Sequence, residues 1–405
     1  MFRKTRKAIR RADYMKKIIW GICLFVFVMA VGRMIVLREQ DMASKVDMKP
    51  EAQALRIVAK MSDGEKIGQL LIIGVQGTAF DESTRYMLNQ YSIGGIILFD
   101  RNMDTPEQVR NLTGKIQQTA RDNDMQPLFI GIDEEGGSVA RMQQYIPLPP
   151  AAGVLGAAGD LAGTKSWARA TAQTLMDLGI NVNFAPDADL GIPGRSYASV
   201  PDIVAKFIEA AGSGYAEEGM IYTLKHFPGI GREQMDSHID GSVINVSREQ
   251  LEAEDVVPFR AAIQNSSKTD DFLIMVSHLT YPALDAKNPA SMSPKIMQGL
   301  LREKLGFTGL IITDDMEMGA ISNHYAFEDV GVKAINAGAD MILVCHEQAH
   351  QVAVYEGMLK ALQDGRLNRK SVDAAVVRII SLKLKKIEDN KKLNNSDKAS
   401  DSLVK

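Results

Sequence analysis

Residues Leu128–Gly137 read LFIGIDEEGG. The first half, LFIGI, offers no polar position to either face, whereas a strand with one face in water alternates polar and apolar residues. Near-continuous apolar character marks a strand buried on both faces, as in the parallel sheets of α/β proteins. The second half reverses the chemistry abruptly: three acids and then two glycines, the composition of a loop. This couplet of apolar run and polar stop recurs along the chain. Eight runs fit it: Leu70–Val75, Gly95–Phe99, Leu128–Ile132, Val182–Ala185, Ile221–Leu224, Phe272–Val276, Leu310–Thr313 and Met341–Val344. Helix-period patterns lie between them, among them Asp202–Glu217, Arg248–Ile263 and Ala326–Ala337. Ser62-Asp63-Gly64-Glu65 has capping-box spacing and predicts a helix start that delivers the first strand. Eight buried strands with intervening helices predict an α/β fold of the (β/α)8, TIM-like barrel type, with an open doubly wound sheet as the alternative.

A chain of 405 residues suits one such barrel, for which about 250 residues is typical and about 400 is reached with insertions. The 45% hydrophobic and 24% charged fractions are those of a folded globular protein. A net charge of −3 gives no general reason to expect a nucleic-acid partner. The two cysteines, Cys23 and Cys345, make no disulfide framework and are expected to be reduced or buried.

The N-terminus carries the compartment signal. Arg3, Lys4, Arg6, Lys7, Arg10, Arg11, Lys16 and Lys17 face a single acid, Asp13. The uncharged run IIWGICLFVFVMAVG, Ile18–Gly32, follows, and apolar character resumes after Arg33 through Leu37. Roughly 20 residues span a bilayer, a length that a snorkelling Arg33 helps to reach. Positive charge before the run predicts a single transmembrane helix with its N-terminus inside and the rest of the chain outside the cytoplasm. Signal-peptide cleavage near Ala30-Val31-Gly32 is the alternative, and it exports the domain equally. The expected organisation is then 1–37 basic N-terminus and anchor, 38–50 linker, 51–387 barrel, and 388–405 a polar, disordered tail.

Barrel enzymes carry their chemistry on the loops at strand C-termini, and polar residues accumulate at those places. The third run ends in Asp133-Glu134-Glu135-Gly136-Gly137 with Arg141 beyond, and the fourth in Pro186-Asp187 with Arg195 further on. The fifth ends in Lys225-His226, the sixth in Ser277-His278 and the seventh in Asp314-Asp315. The most specific segment is KHFPGIGREQMDSH, Lys225–His238, whose Pro228, Gly229 and Gly231 make a loop able to approach a ligand closely. Asp236 and His238 stand close enough in a bent loop for the carboxylate to bond one imidazole nitrogen, leaving the other for proton transfer. An Asx-turn beside an exposed histidine is the plain alternative. Glu134, Glu135 and Glu317 read as solvated loop acids, His346 as a satisfied loop histidine, and Met292, Met297, Met316 and Met318 as core or loop fillers. No H-x-x-x-H or comparable ligand spacing occurs, so neither metal nor cofactor is expected.

At this loop the chain resembles glycoside hydrolase family 3, in particular its NagZ-like β-N-acetylglucosaminidases, whose motif is K-H-F-P-G-H-G-x4-D-S-H. The likeness runs over about residues 55 to 385 and includes Asp133–Arg141, Arg195-Ser196-Tyr197, Ser277-His278 through Asp285, and Ile312-Thr313-Asp314. It implies Asp314 as nucleophile, His238 oriented by Asp236 as general acid/base, and Asp133, Arg141, Arg195, Lys225 and His226 as holders of the sugar hydroxyls and acetamido group. The implied activity is retaining exo-hydrolysis of N-acetylglucosamine from a muropeptide or related amino-sugar glycan, by a monomer that needs no metal. A retaining glycosidase requires a nucleophilic carboxylate and a proton donor at the leaving oxygen, and a histidine donor departs from the usual second carboxyl group. A neutral imidazole suits a site near an anionic sugar substituent, since it adds no like charge. Asp314 and Asp315 cannot both face the barrel axis from an extended strand; the position after Thr313 is the family's, hence Asp314. Ile230 departs from the motif, which has histidine there, and puts substrate contact or loop conformation in question. A β-glucosidase-like specificity and a sugar-binding barrel with weakened turnover are the alternative functions.

Overall fold

The computed structural model describes residues 48–232, 241–266 and 272–388. The N-terminal apolar run, the C-terminal tail, Asp236 and His238 all lie outside the described residues. Among the described residues no helix is long and apolar enough to cross a membrane. The chain divides into two units, Met1–Gln53 and Ala54–Lys405. Of the first only residues 48–53 are described, at the start of the helix Pro50–Val58.

The second unit is a closed barrel of eight parallel strands, each hydrogen-bonded to the next and β8 to β1. The strands are β1 Leu71–Gly74, β2 Gly95–Leu98, β3 Phe129–Ile132, β4 Val182–Asn183, β5 Ile221–Phe227, β6 Phe272–Val276, β7 Ile311–Asp315 and β8 Met341–Val344. Every residue of β1, β2, β3, β4, β6 and β8 is buried; the one polar residue among them, Asn183, is bonded to the N–H and carbonyl of Glu134. In register, Ile96 pairs with Ile130 and Ile72 with Leu343, so branched aliphatic residues stand side by side round the wall. Each such side chain contributes roughly 1.5–3 kcal/mol on burial.

Several ends differ from the sequence expectation: β5 runs on past Leu224 to Phe227 and β7 past Thr313 to Asp315. β4 stops at Asn183 rather than Ala185, although Phe184 N–H still donates to the Ile132 carbonyl at 2.8 Å and the Ala185 carbonyl still accepts from Thr223 N–H at 3.0 Å. The helix expected over Arg248–Ile263 is two, Arg248–Ala253 and Val257–Asn265. Pro258 is responsible: it cannot donate in a helix interior and restrains Val257 before it, yet it suits the first turn of a new helix. The capping box forms as expected before the helix Asp63–Gln69. Glu65 N–H donates to Ser62 Oγ at 3.2 Å and Ser62 N–H to Glu65 Oε2 at 2.7 Å.

The two ends of the barrel differ in kind. At the N-terminal end, the fully buried Lys383 donates to Gln69 Oε1 and to the Gly94 carbonyl and sits 5.0 Å from the Phe129 ring. Burial pushes its pKa well down. The ionisable groups of the opposite end gather instead around a cavity.

Candidate active site

The cavity, of about 630 Å³, opens at the C-terminal ends of the strands. Asp133, Arg141, Arg195, Lys225, His226 and Asp314 all line it, so six residues singled out from sequence meet in one place. Asp236 and His238 lie outside the described residues, and so does their pairing.

Charges alternate across the floor. Lys225, on β5, places Nζ 2.8 Å from both Asp133 Oδ1 and Glu135 Oε1. Arg195 grips Glu135 with Nε at 3.0 Å and Nη2 at 2.8 Å, a two-pronged bond. Its Nη2 also lies 3.5 Å from Asp187 Oδ2. On the other side Arg141 donates to Asp100 Oδ2 at 2.9 Å and stands 3.8 Å from Asp133 Oδ2. Each buried ion is thus matched by a neighbour of opposite sign, without which its desolvation would cost several kcal/mol. Burial pushes the Glu135 carboxyl up, but Lys225 and Arg195 outweigh it and hold the pKa at about 2. Burial likewise opposes the charge of Lys225, and Asp133 and Glu135 more than restore it, leaving its pKa raised.

The turn that carries Asp133 and Glu135 needs its glycines. Gly136 and Gly137 have φ of +93° and +58°, and a Cβ at Gly136 would come within 2.8 Å of the Pro149 and Pro150 carbonyl oxygens. A second close approach is at Gly231, where a Cβ would lie 1.9 Å from the Leu190 carbonyl oxygen.

The adjacent acids at the end of β7 separate by their partners. Asp315 is engaged in structure: its Oδ1 accepts from Glu317 N–H at 3.1 Å and Cys345 N–H at 3.2 Å, and its Oδ2 faces His346 Nε2 at 3.1 Å. Asp314 accepts only from the Asp315 N–H at Oδ1, 2.8 Å away, among the hydrogen bonds resolved. Its Oδ2 looks toward His226 Nε2 at 4.0 Å. Burial works to raise the Asp314 pKa and is outweighed by His226 and His278 in their protonated forms and by the Asp315 N–H, so the pKa lies below the usual carboxylate range. His226 and His278 are themselves shifted down by burial. His278 Nε2 faces the Asp315 carbonyl at 2.9 Å, which only a ring N–H can satisfy, and its Nδ1 meets Ser291 Oγ at 2.7 Å.

Three loop acids expected in solvent are not there. Glu134 is 1% exposed. Glu135 is the Lys225–Arg195 bridge just described. Glu317 accepts from the N–H groups of His346 and Glu347 and from His350 Nδ1. The sequence shows residue type but not the donors brought in from other strands. His346 lines the cavity as the partner of Asp315. Met292, Met297, Met316 and Met318 are buried as expected, and Met318 also touches the cavity. Cys345 is a buried free thiol.

Glu134 gives a pH test of this packing. Its Oε2 accepts from Arg141 N–H at 2.7 Å, and its Oε1 has no hydrogen-bond partner among the described residues. Burial raises its pKa from 4.5 to about 7. In the folded state it therefore holds a proton that the unfolded chain has already released. The stability this confers is complete below about pH 4.5 and gone above about pH 7. At about 1.4 kcal/mol per unit the loss is roughly 3 kcal/mol. Glu134→Gln, which cannot ionise, is expected to gain melting temperature over the parent as pH rises from 4.5 to 7, with a constant gap beyond. A gap that does not vary with pH in thermal melts would reject the assignment.

Asp187, Asp189 and His226 bring ligand-type atoms within 4.8 Å of one another. As a metal site the trio fits poorly. Asp189 accepts from Ile230 N–H at Oδ1 and from His226 at Oδ2, and Arg195 stands over Asp187 Oδ2. Asp189 went unremarked in the sequence, although Asp187-Ala188-Asp189 follows a strand run at a spacing that puts both acids on one side.

Fold and cavity together define a class: a (β/α)8 barrel whose mouth lines a cavity with alternating cations and carboxylates, Asp314 among them. The chain belongs to glycosyl hydrolase family 3, whose N-terminal domain model matches residues 63–382. It is 37% identical over 297 residues to a beta-hexosaminidase of Tolumonas auensis, covering 71% of this chain and 86% of that one. Beta-hexosaminidase A of Pseudoalteromonas piscicida is 33% identical over 329 residues, 74% of this chain and 54% of the relative. Among solved structures, a family 3 beta-N-acetylglucosaminidase from a Paenibacillus species superposes with a TM-score of 0.78 at 36% identity, covering 81% of this chain and 63% of the other. The chain thus spans only about half the length of the Pseudoalteromonas relative and under two thirds of the Paenibacillus structure.

Proposed function

We propose that the protein is a retaining exo-β-N-acetylhexosaminidase that removes N-acetylglucosamine from peptidoglycan-derived fragments. The observation that carries this is Asp314: an ionised carboxylate at the end of β7, facing a cavity furnished with Asp133, Lys225, Arg141 and Arg195. Relatives named beta-hexosaminidase support the amino-sugar specificity. Asp314 attacks the anomeric carbon while His238, oriented by Asp236, protonates the leaving oxygen. Water then displaces Asp314 with His238 taking its proton, so two inversions retain the β configuration. Asp133 and the cations around it hold the hydroxyls by charge-assisted hydrogen bonds, and His226 reaches the same cavity beside the nucleophile.

Ile230 is consistent with a working rather than a weakened site. The frame uses its backbone, the N–H donating to Asp189 Oδ1 at 2.7 Å, and any residue but proline supplies that bond. The apolar run Ile18–Gly32 anchors the domain outside the cytoplasmic membrane in this proposal. One experiment addresses activity and location together. Intact spheroplasts are given chromogenic N-acetylglucosaminide and glucoside, before and after external protease. Hydrolysis of the first substrate alone, membrane-bound and abolished by protease, is expected. Glucoside turnover would refute the specificity, binding without turnover the activity, and protection from protease the location.

A further inference from the structure

We propose that Asp189 is a positioning residue for this site: it fixes which ring nitrogen of His226 faces the sugar and at the same time ties down the turn that follows. The inference rests on the hydrolase assignment above only for its kinetic readout. Asp189 is 1% exposed, and both its oxygens are committed. Oδ2 receives the His226 backbone N–H at 3.1 Å and faces His226 Nδ1 at 2.7 Å. Oδ1 receives the Ile230 N–H at 2.7 Å. The carboxylate is held in turn, because Asp189 N–H donates to Asp187 Oδ1 at 2.8 Å.

A carboxylate only accepts, so the proton of the His226 ring must sit on Nδ1. Nε2 then points into the cavity as an acceptor, 4.0 Å from Asp314 Oδ2. In that form the ring takes a hydrogen bond from a sugar hydroxyl and leaves Asp314 without a competing donor. The opposite tautomer would turn Nε2–H toward Asp314 and draw on the lone pairs needed for attack. The Ile230 bond fixes the far end of the Phe227–Gly229 segment, whose Gly229 N–H closes on the His226 carbonyl at 2.8 Å. One buried side chain thereby sets both the ring and the turn beside it.

The test uses the full chain labelled with ¹⁵N-histidine, with His226 assigned by comparison with His226→Gln. Long-range proton–nitrogen spectra of the parent are expected to show His226 as the Nδ1–H form. Asp189→Ala should lose that single form and lower kcat on chromogenic N-acetylglucosaminide about 10- to 100-fold, the range seen when an outer partner of a functional imidazole is removed. A parent ring protonated on Nε2 would overturn the proposal, and this holds even where Asp189→Ala fails to fold. So would an Asp189→Ala protein that melts lower while keeping the parent's ring form and kcat, since Asp189 would then be structural only. A parent without N-acetylglucosaminidase activity would refute the hydrolase assignment, and the ring form would still decide the role of Asp189.

Discussion

Asp314→Ala is expected to lower turnover of an N-acetylglucosaminide by roughly a thousandfold or more, the scale on which loss of a catalytic nucleophile acts. The melting temperature should be little changed. Among the described residues Asp314 lends the fold one local hydrogen bond, from its neighbour's N–H, so its removal strips the cavity of the proposed attacking group without opening the barrel. Asp315→Asn should behave in the reverse manner. It disturbs the acceptors that join the β7 end to Cys345, Glu317 and His346, and should cost stability more than chemistry. Proton NMR of the first-formed product in the parent should show the β anomer, as double displacement requires. An active Asp314→Ala protein, or an α product, would remove Asp314 from the nucleophile's role.

The second large effect concerns His238. As the proposed proton donor it should matter in proportion to how badly the leaving group needs a proton. His238→Ala should slow a natural glycan fragment about a hundred- to ten-thousandfold, the usual worth of general acid catalysis. A nitrophenyl glycoside, whose leaving group departs largely unaided, should suffer far less in its first step. Asp236→Asn should follow the same ranking more mildly. Equal losses on both substrates would show that His238 binds or shapes the loop and that the donor lies elsewhere.

Much of the architecture was legible because burial on both faces leaves a plain trace. β6 and β8 have the ends that the apolar runs predict, and the Ser62 cap forms as its spacing requires. One misplaced boundary traces to a proline: Pro258 divides the expected helix into two. Within the site, residues that stand out by type were recognisable: a carboxylate at the end of β7, a Lys-His pair near the end of β5. Residues that act by partnership were not. Glu135 is bonded by Arg195 from 60 positions away, and Lys225 reaches Asp133 across 92. Whether an acid is solvated or paired is decided by such distant donors, which local composition does not reveal. Asp189 escaped notice for the same reason, since its value lies in the imidazole and amide it receives.

The bond from Ile230 to Asp189 has a consequence for how this barrel can diversify. The scaffold asks position 230 for an amide hydrogen, and the side chain there borders the cavity while packing, 9% exposed, with the buried apolar core. Ligand choice can therefore be varied there as long as the replacement stays apolar. Such substitutions can resculpt the wall of the pocket while the turn beneath stays in place, which makes 230 a natural first position to vary when a new glycan preference is sought.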